Sequence, residues 1–334
     1  MTVTSIGLGL FGTEHAERTV QLAELAERRG YDNLWLGDSQ NIWREAYTLA
    51  GAIAARTERL VIGTGVTNPV TRHLSVLAST WATLHELSAG RVALGIGTGD
   101  SSLRTMGLEP VRLAALEETV GDLRTLFGGG DVVEPSSGAK FRLSWADNPR
   151  VPLYVAASAP RILELAGRIA DGVIMLVGTE PAFVNAALER VAKGAAASGR
   201  TLDDLHLVLW TPTSIGDDVK SARDVVRAHV ARVLIRPLPA ELDAETMDRI
   251  EKIRASYDYY KHMDTEADHG SEVDDRIVDL FALAGTADEC RQRLTALVDL
   301  PIDQIAIIPY VVPGRDRTSV INTFAELASD VIAG

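Results

Sequence analysis

The sequence predicts one α/β domain spanning residues 1–334, a (β/α)8 TIM barrel interrupted by two insertions. Short runs of aliphatic and β-branched residues alternate with longer segments of helical periodicity, which is typical of βα units around a parallel sheet. Eight such runs follow at roughly equal spacing and are almost continuously apolar, as strands buried on both faces are. An open doubly wound sheet is the alternative, but these features favour closure into a barrel.

The predicted strands and helices alternate along the chain. The strands cover residues 5–10, 33–37, 60–66, 91–96, 153–157, 172–176, 205–215 and 303–309. The first helix, 14–29, has its apolar residues largely on one side and ends before Gly30. A later helix covers 74–87, and another begins at Pro160, where a missing N–H costs nothing. Thr286 and Glu289 have the spacing of a capping box before the last strand.

Two segments break the alternation and are predicted to be insertions. Residues 128–150 are rich in Gly, Ser and Pro, and residues 236–279 are charged and partly helical. Because long excursions from compact domains are usually functional, we expect both to cover the active site or to form a subunit contact. In the second insertion, a lid or interface is a better prediction than a metal site for Tyr257, Tyr259, Tyr260, Lys261, His262 and His269.

Composition limits the classes of partner. Asp and Glu total 46 against 33 for Lys and Arg, and the net charge of −13 repels both nucleic acid and anionic membrane surfaces. The seven histidines and one cysteine lack the spacing of a metal site. Cys290 has no internal disulfide partner and is predicted to be buried in a helix. No signal peptide or apolar run of about 18 residues is evident. We therefore expect a cytoplasmic protein that acts on a small molecule.

Catalytic groups of such barrels lie after the carboxyl ends of the strands. The polar residues there are Asp38, Ser39 and Trp43 after the second strand, Thr67, Asn68 and His73 after the third, Thr98 and Asp100 after the fourth, and Ser158 after the fifth. The glycines at 95–99 are a poor dinucleotide fingerprint, because they follow the fourth strand and lack the last spaced glycine. On local grounds Asp100 is equally an N-cap or turn residue.

Several of these segments resemble a known family. They are Gly63-Thr64-Gly65-Val66-Thr67-Asn68-Pro69 with Arg72-His73, the segment 82–91, and Gly95-Ile96-Gly97-Thr98-Gly99-Asp100. Further matches follow in order along nearly the whole chain. The set resembles the luciferase-like superfamily of flavin- and deazaflavin-dependent oxidoreductases, and within it the coenzyme F420-dependent enzymes similar to methylenetetrahydromethanopterin reductase.

The resemblance implies a homodimeric barrel that moves a hydride between a cofactor and a small organic substrate with a C=N, C=O or C=C acceptor. The cofactor would be coenzyme F420, an 8-hydroxy-5-deazaflavin, with FMN as the alternative. An FMN-dependent monooxygenase and a barrel without redox chemistry are the competing functions. The implied peptide bond behind the ring, Gly65 to Val66, is cis. The implied cofactor contacts are Asp38, Gly65, Val66, Thr67, Asn68, Gly97, Thr98, Gly99, Ala156, Ala157 and Ser158.

Four residues are candidates for catalysis. Asp100 is implied as the proton donor or acceptor, and as a donor it would need apolar surroundings away from Lys and Arg. Ser39 stands where sugar-phosphate dehydrogenases of the branch have a histidine, which argues against glucose 6-phosphate as substrate. Trp43 would wall the substrate pocket, with a loop anchor as the alternative. His73 is either catalytic or a structural partner at the start of a helix.

Overall fold

The computed structural model describes residues 3–238, 242–256 and 273–332. Its strands are β1 (Ser5–Phe11), β2 (Asn33–Gly37), β3 (Val61–Thr64), β4 (Val92–Ile96), β5 (Val132–Val133), β6 (Lys140–Phe141), β7 (Leu153–Ala157), β8 (Gly172–Met175), β9 (His206–Ile215), β10 (Leu283–Gly285) and β11 (Gln304–Pro309). All eight predicted strands are present within one or two residues of their predicted bounds.

Eight parallel strands close into a barrel in the order β1, β2, β3, β4, β7, β8, β9 and β11. The sheet closes because β11 pairs with β1, with Ile6 opposite Ile305. On its other side β11 pairs with β9, which also pairs with β8. The (β/α)8 barrel is therefore confirmed and the open-sheet alternative is wrong.

The helices surround the barrel. They are α1 (Ala16–Arg28), α2 (Ala46–Ala54), α3 (Leu74–Leu87), α4 (Ser101–Arg104), α5 (Leu113–Phe127), α6 (Pro160–Ile169), α7 (Pro181–Ala197), α8 (Val219–Asp224), α9 (Arg227–Leu234), α10 (Ala244–Ser256), α11 (Asp275–Phe281), α12 (Ala287–Val298) and α13 (Arg317–Ile332). The capping box of Thr286 and Glu289 begins α12, as predicted, and Cys290 is buried in this helix. No helix within 3–238, 242–256 and 273–332 is long and apolar enough to span a membrane.

The two insertions differ in structure. The first forms the antiparallel hairpin of β5 and β6. The second contributes α10 and α11, and its tyrosines, lysine and histidines at 257–269 lie outside the described residues. Strand β10, which adds to β9 beside the barrel, was not predicted. A run of three apolar residues is too short to distinguish from a loop by periodicity.

Two apolar layers stabilise the fold. One lies between the helices and the outer face of the barrel. The other fills the barrel itself with large side chains that include Trp35, Tyr154 and Trp210. Deep in this interior, the Trp35 indole N–H donates to the side-chain oxygen of Gln304 at 2.9 Å. The barrel is therefore a packed core, and space for a ligand remains at its carboxyl end.

Candidate active site at the barrel mouth

A cavity of about 410 Å³ opens where the barrel strands end. Segments after β2, β3, β4 and β7 form most of its wall, together with Trp210 of β9 and the beginning of the second insertion. Its volume lies in the range of small-molecule and cofactor sites. The residues predicted for the site that line it are Asp38, Trp43, Gly65, Val66, Thr67, Asn68, Gly97, Thr98, Gly99, Asp100, Ala156, Ala157 and Ser158.

Glycines after β3 and β4 leave the floor of the cavity without side chains at their positions. The Gly65–Val66 peptide bond is cis, as predicted. A Cβ on Gly65 would lie 2.4 Å from a ring carbon of Trp210, so a side chain there would push this indole. Gly99 has a φ of +95°, which disfavours other residues, and its Cβ would lie 2.3 Å from Leu103. The backbone therefore faces the cavity at both strand ends.

Asp38 forms the centre of a buried polar network beneath one wall. Its carboxylate accepts a hydrogen bond from the Thr67 hydroxyl at 2.7 Å and from Arg72 at 2.6 and 3.2 Å. The Tyr47 hydroxyl donates to Thr67 at 2.8 Å, and the Arg72 guanidinium lies 4.1 Å from the centre of the Tyr47 ring. Arg72 also binds Glu45 at 2.7 Å. The network joins the ends of β2 and β3.

Burial and charge determine the protonation states in this network. Burial, with the Asp38 carboxylate nearby, raises the pKa of Tyr47 far above its ordinary value, so the phenol stays a neutral donor. Burial by itself raises the pKa of Glu45, but the Thr48 amide and Arg72 outweigh it and the pKa lies below its usual value. Arg72 therefore lies between two carboxylates, one buried and one exposed.

Replacing Arg72 by Ala is expected to lower the free energy of unfolding by about 3 kcal/mol, because it leaves the buried Asp38 carboxylate without its ion-pair partner. Urea denaturation at neutral pH measures this loss. Arg150→Ala is the matched control, since Arg150 is an exposed arginine outside the cavity lining. Equal stability of the two variants would show that the Asp38–Arg72 pair contributes nothing specific.

Asp100 lies at the cavity in surroundings that differ from those expected. Its Oδ2 accepts from Arg232 at 3.2 Å and from Arg236 at 2.5 Å. The expectation that Asp100 lies away from Lys and Arg is therefore wrong, because α9 and the start of the second insertion each bring one guanidinium group to it. Two adjacent cations favour the ionised carboxylate. Asp100 occupies the N-cap position of α4, but its side chain makes no capping hydrogen bond.

Two of the predicted catalytic residues are outside the site. The Ser39 hydroxyl is buried and lies 2.9 Å from that of Ser101, where it joins the end of β2 to α4. His73 is the N-cap of α3, and its imidazole lies 2.8 Å from Glu134 of the first insertion. Neither is among the described residues that line the cavity. The contacts of His73 therefore favour a structural role at the start of α3 over a catalytic role.

The first insertion does not cover the cavity, and a subunit contact at this insertion stays a prediction. Its hairpin packs beside α3, where Phe141 lies 5.8 Å from the His73 ring, and none of residues 128–150 lines the cavity. The second insertion does reach the cavity, through Arg236 and Pro237. Trp43 lines the cavity and packs on Phe11 with ring centres 4.5 Å apart.

Arginines are the main feature that sequence reasoning missed. Among the described residues, four arginines line the cavity, namely Arg104, Arg161, Arg232 and Arg236, against the two aspartates Asp38 and Asp100. Arg161 is exposed in the first turn of α6, beside Ser158. The spacing of Arg232 and Arg236 by four residues was a possible signal, because such residues share one side of a helix. Only the tertiary structure shows that the end of α9 and the residues after it face the cavity.

The fold and cavity define a TIM-barrel protein with a ligand site at the carboxyl ends of its strands. Residues 2–304 match the family model described as luciferase-like monooxygenase. The chain therefore belongs to the luciferase-like monooxygenase family, which confirms the predicted resemblance.

Relatives of known name align along most of the chain. The 5,10-methylenetetrahydromethanopterin reductase of Methanolobus tindarius is 29% identical over 321 residues, 94% of this chain and 96% of its own. The F420-dependent glucose-6-phosphate dehydrogenase of Microbacterium testaceum is 30% identical over 322 residues, 90% of this chain and 89% of its own.

Solved structures share the fold. The coenzyme F420-dependent tetrahydromethanopterin reductase of Methanopyrus kandleri superposes with a TM-score of 0.79 at 23% identity, over 97% of this chain and 98% of its own. An F420-dependent secondary alcohol dehydrogenase in complex with an F420–acetone adduct superposes with a TM-score of 0.81 at 20% identity, over 98% of this chain and 99% of its own. At these identities the likeness concerns the fold alone.

Proposed function

We propose that this chain is a coenzyme F420-dependent oxidoreductase that passes a hydride between the cofactor and a small organic molecule with a C=N, C=O or C=C acceptor. The observation that carries the proposal is a cavity at the carboxyl end of the barrel, with glycine backbone and apolar side chains on its floor and arginines at its edge. Coenzyme F420 has complementary chemistry, a planar deazaflavin ring with a phosphate and an acidic tail. The names of the aligned F420-dependent glucose-6-phosphate dehydrogenases support the same cofactor.

The floor fits a planar ring. Gly65 and Gly97 present backbone to the cavity, and Val66, Ile174 and Trp210 supply apolar contact. A Cβ on Gly97 would approach a Val66 methyl group to 3.2 Å, so a larger residue would crowd this surface. We assign the ring to this floor, because a flat aromatic system buries most surface against flat apolar neighbours.

The anionic part of the cofactor would bind at the start of α6. The N-terminus of a ten-residue helix attracts negative charge through its dipole and free amides. Ser158 and Ala159 line the cavity there, and Arg161 adds a guanidinium that can bind a phosphate through two hydrogen bonds. We therefore assign the phosphate to Ser158, Ala159 and Arg161.

The chemistry that a bound deazaflavin supplies is hydride transfer. The substrate must gain or release a proton in the same reaction, and a positioned carboxylate is suited to that role. Asp38 is occupied by Thr67 and Arg72, and we assign the proton to Asp100, which lines the cavity directly after β4. Trp43 and Phe11 would wall the substrate side.

Titration of the purified protein with oxidised and reduced F420 and with FMN, followed by fluorescence, tests the cofactor. We expect saturable binding of F420, tighter than any binding of FMN, because several aligned relatives are named as F420-dependent enzymes. Binding of FMN alone would favour the monooxygenase alternative. Binding of neither would favour a barrel without redox chemistry. The homodimer and the cytoplasmic location stay predictions.

A further inference from the structure

We infer that Arg232 and Arg236 form a binding site for an anionic group of the substrate, a carboxylate or a phosphate, and that Asp100 occupies this site until the substrate displaces it. This deepens the proposed function, on which it rests, because it names the substrate class of the same cavity. The two arginines belong to α9 and to the start of the second insertion, and not to the strand ends that bear the cofactor floor.

Geometry is the first support. Arg232 lies in the last turn of α9, and Arg236 follows two residues after this helix ends at Leu234. Both guanidinium groups reach the same oxygen of Asp100, at 3.2 and 2.5 Å. Their side chains are 16% and 33% exposed, and that of Asp100 is 20% exposed. The three groups are therefore sheltered by the protein but open to the cavity that they line.

Charge is the second support. Among the described residues, two guanidinium groups and one carboxylate meet at this corner of the cavity. Asp38 is already paired with Arg72 behind the wall, so it does not offset the charge of these guanidinium groups. The chain as a whole carries a net charge of −13. Guanidinium groups in the wall of a cleft attract small anions, because the walls of a cleft focus the field.

The chemistry of arginine indicates the kind of anion. A guanidinium presents its N–H groups as a planar fork that matches two oxygens of a carboxylate or phosphate. Here both arginines converge on one oxygen of Asp100, whereas an oxyanion from the substrate offers each arginine an oxygen of its own. Exchange of one anion for another keeps the arginines neutralised. It also turns the Asp100 carboxylate from the arginines toward the substrate, where a proton is handled.

The test uses inorganic phosphate as the probe, titrated calorimetrically into the full-length protein without cofactor at low salt. Arg232→Gln and Arg236→Gln are expected to weaken phosphate binding about tenfold each, since each loses one charge-assisted contact. Asp100→Asn is expected to strengthen it, because the competing carboxylate is gone. Because the expected changes in phosphate affinity have opposite signs, they distinguish displacement of Asp100 by phosphate from a general loss of structure. Arg150→Gln is the matched control, since Arg150 is exposed and lies outside the cavity lining. Arg161→Gln identifies any phosphate that binds instead at the start of α6.

The acidic tail of F420 is the other possible source of the anion, and a second titration separates the two. Wild type and Arg236→Gln are titrated with F420 and with the deazaflavin that lacks the phosphate and tail. We expect both forms to bind the variant as they bind the wild type. Weaker binding of F420 alone would place the cofactor tail on Arg236 and overturn the inference.

Two further results would also overturn it. One is phosphate binding that the arginine variants leave unchanged, and the other is phosphate binding that Asp100→Asn fails to strengthen. Failure of the proposed function can be distinguished from failure of this inference. In the first case the wild type would bind neither deazaflavin. The phosphate titration is done without cofactor and would still report on the arginine pair.

Discussion

Asp100→Asn is expected to reduce turnover on the true substrate at least about a hundredfold, since a positioned carboxyl group contributes 10²- to 10⁴-fold to proton transfer. The amide keeps the size of the side chain but neither accepts nor releases a proton under assay conditions. Cofactor affinity should stay close to that of the wild type, because the floor of the cavity is unchanged. Steady-state turnover and a separate F420 titration measure the two effects.

Asp147→Asn is the matched control for this variant, because Asp147 is exposed in the first insertion and does not line the cavity. It removes the same charge at a distance from the site. If Asp100→Asn keeps its turnover but loses stability, the carboxylate serves only as the ion partner of Arg232 and Arg236. Loss of cofactor binding together with turnover would instead assign Asp100 to positioning of the ring.

Gly65→Val is expected to weaken F420 binding at least about a hundredfold, which is close to 3 kcal/mol of binding free energy. The new Cβ would lie 2.4 Å from one ring carbon of Trp210 and 3.0 Å from Cβ of Trp35. Because Trp35 is fully buried in the barrel, the indole of Trp210 is the group that must move, and it lines the cavity. The variant therefore fills or reshapes the floor where we assign the ring.

The cost to folding should be smaller, about 1–3 kcal/mol, as is usual for an overpacked position. Gly121→Val is the control, because Gly121 is exposed in α5 and a Cβ there meets no atom within 4 Å. Fluorescence titration and urea denaturation are measured on both variants. If Gly65→Val does not fold, Gly65→Ala repeats the test with less volume. Binding equal to the wild type in a folded Gly65 variant would remove the ring from this floor.

Local patterns were sufficient for most of the fold. The strands were predictable because a parallel barrel buries both faces of each strand, which leaves an apolar run in the sequence. The capping box at Thr286 and Glu289 was predictable because its hydrogen bonds join residues three apart. Strand β10 was not, since its three residues form a strand only because β9 extends beside them.

The candidate site was predictable in part, because its position also follows from local patterns in the sequence. Segments that follow barrel strands must meet at the mouth, so Gly65, Gly97 and Ser158 could be placed there from the order of strands alone. The side chains of Ser39 and His73 follow strands too, but they turn to Ser101 and Glu134. The direction of a side chain after a strand end depends on partners that are 61 or more residues away in sequence.

The sequence by itself determined the closed barrel, the cavity's backbone floor and the membership of a luciferase-like family, because each of these depends on runs and spacings within a few tens of residues. Only the tertiary structure decided which charged side chains meet at the cavity. Arg232 and Arg236 approach Asp100 across more than 130 positions of sequence, at separations of 132 and 136. No local pattern encodes such a contact, because it depends on how α9 and the start of the second insertion pack over the mouth of the barrel.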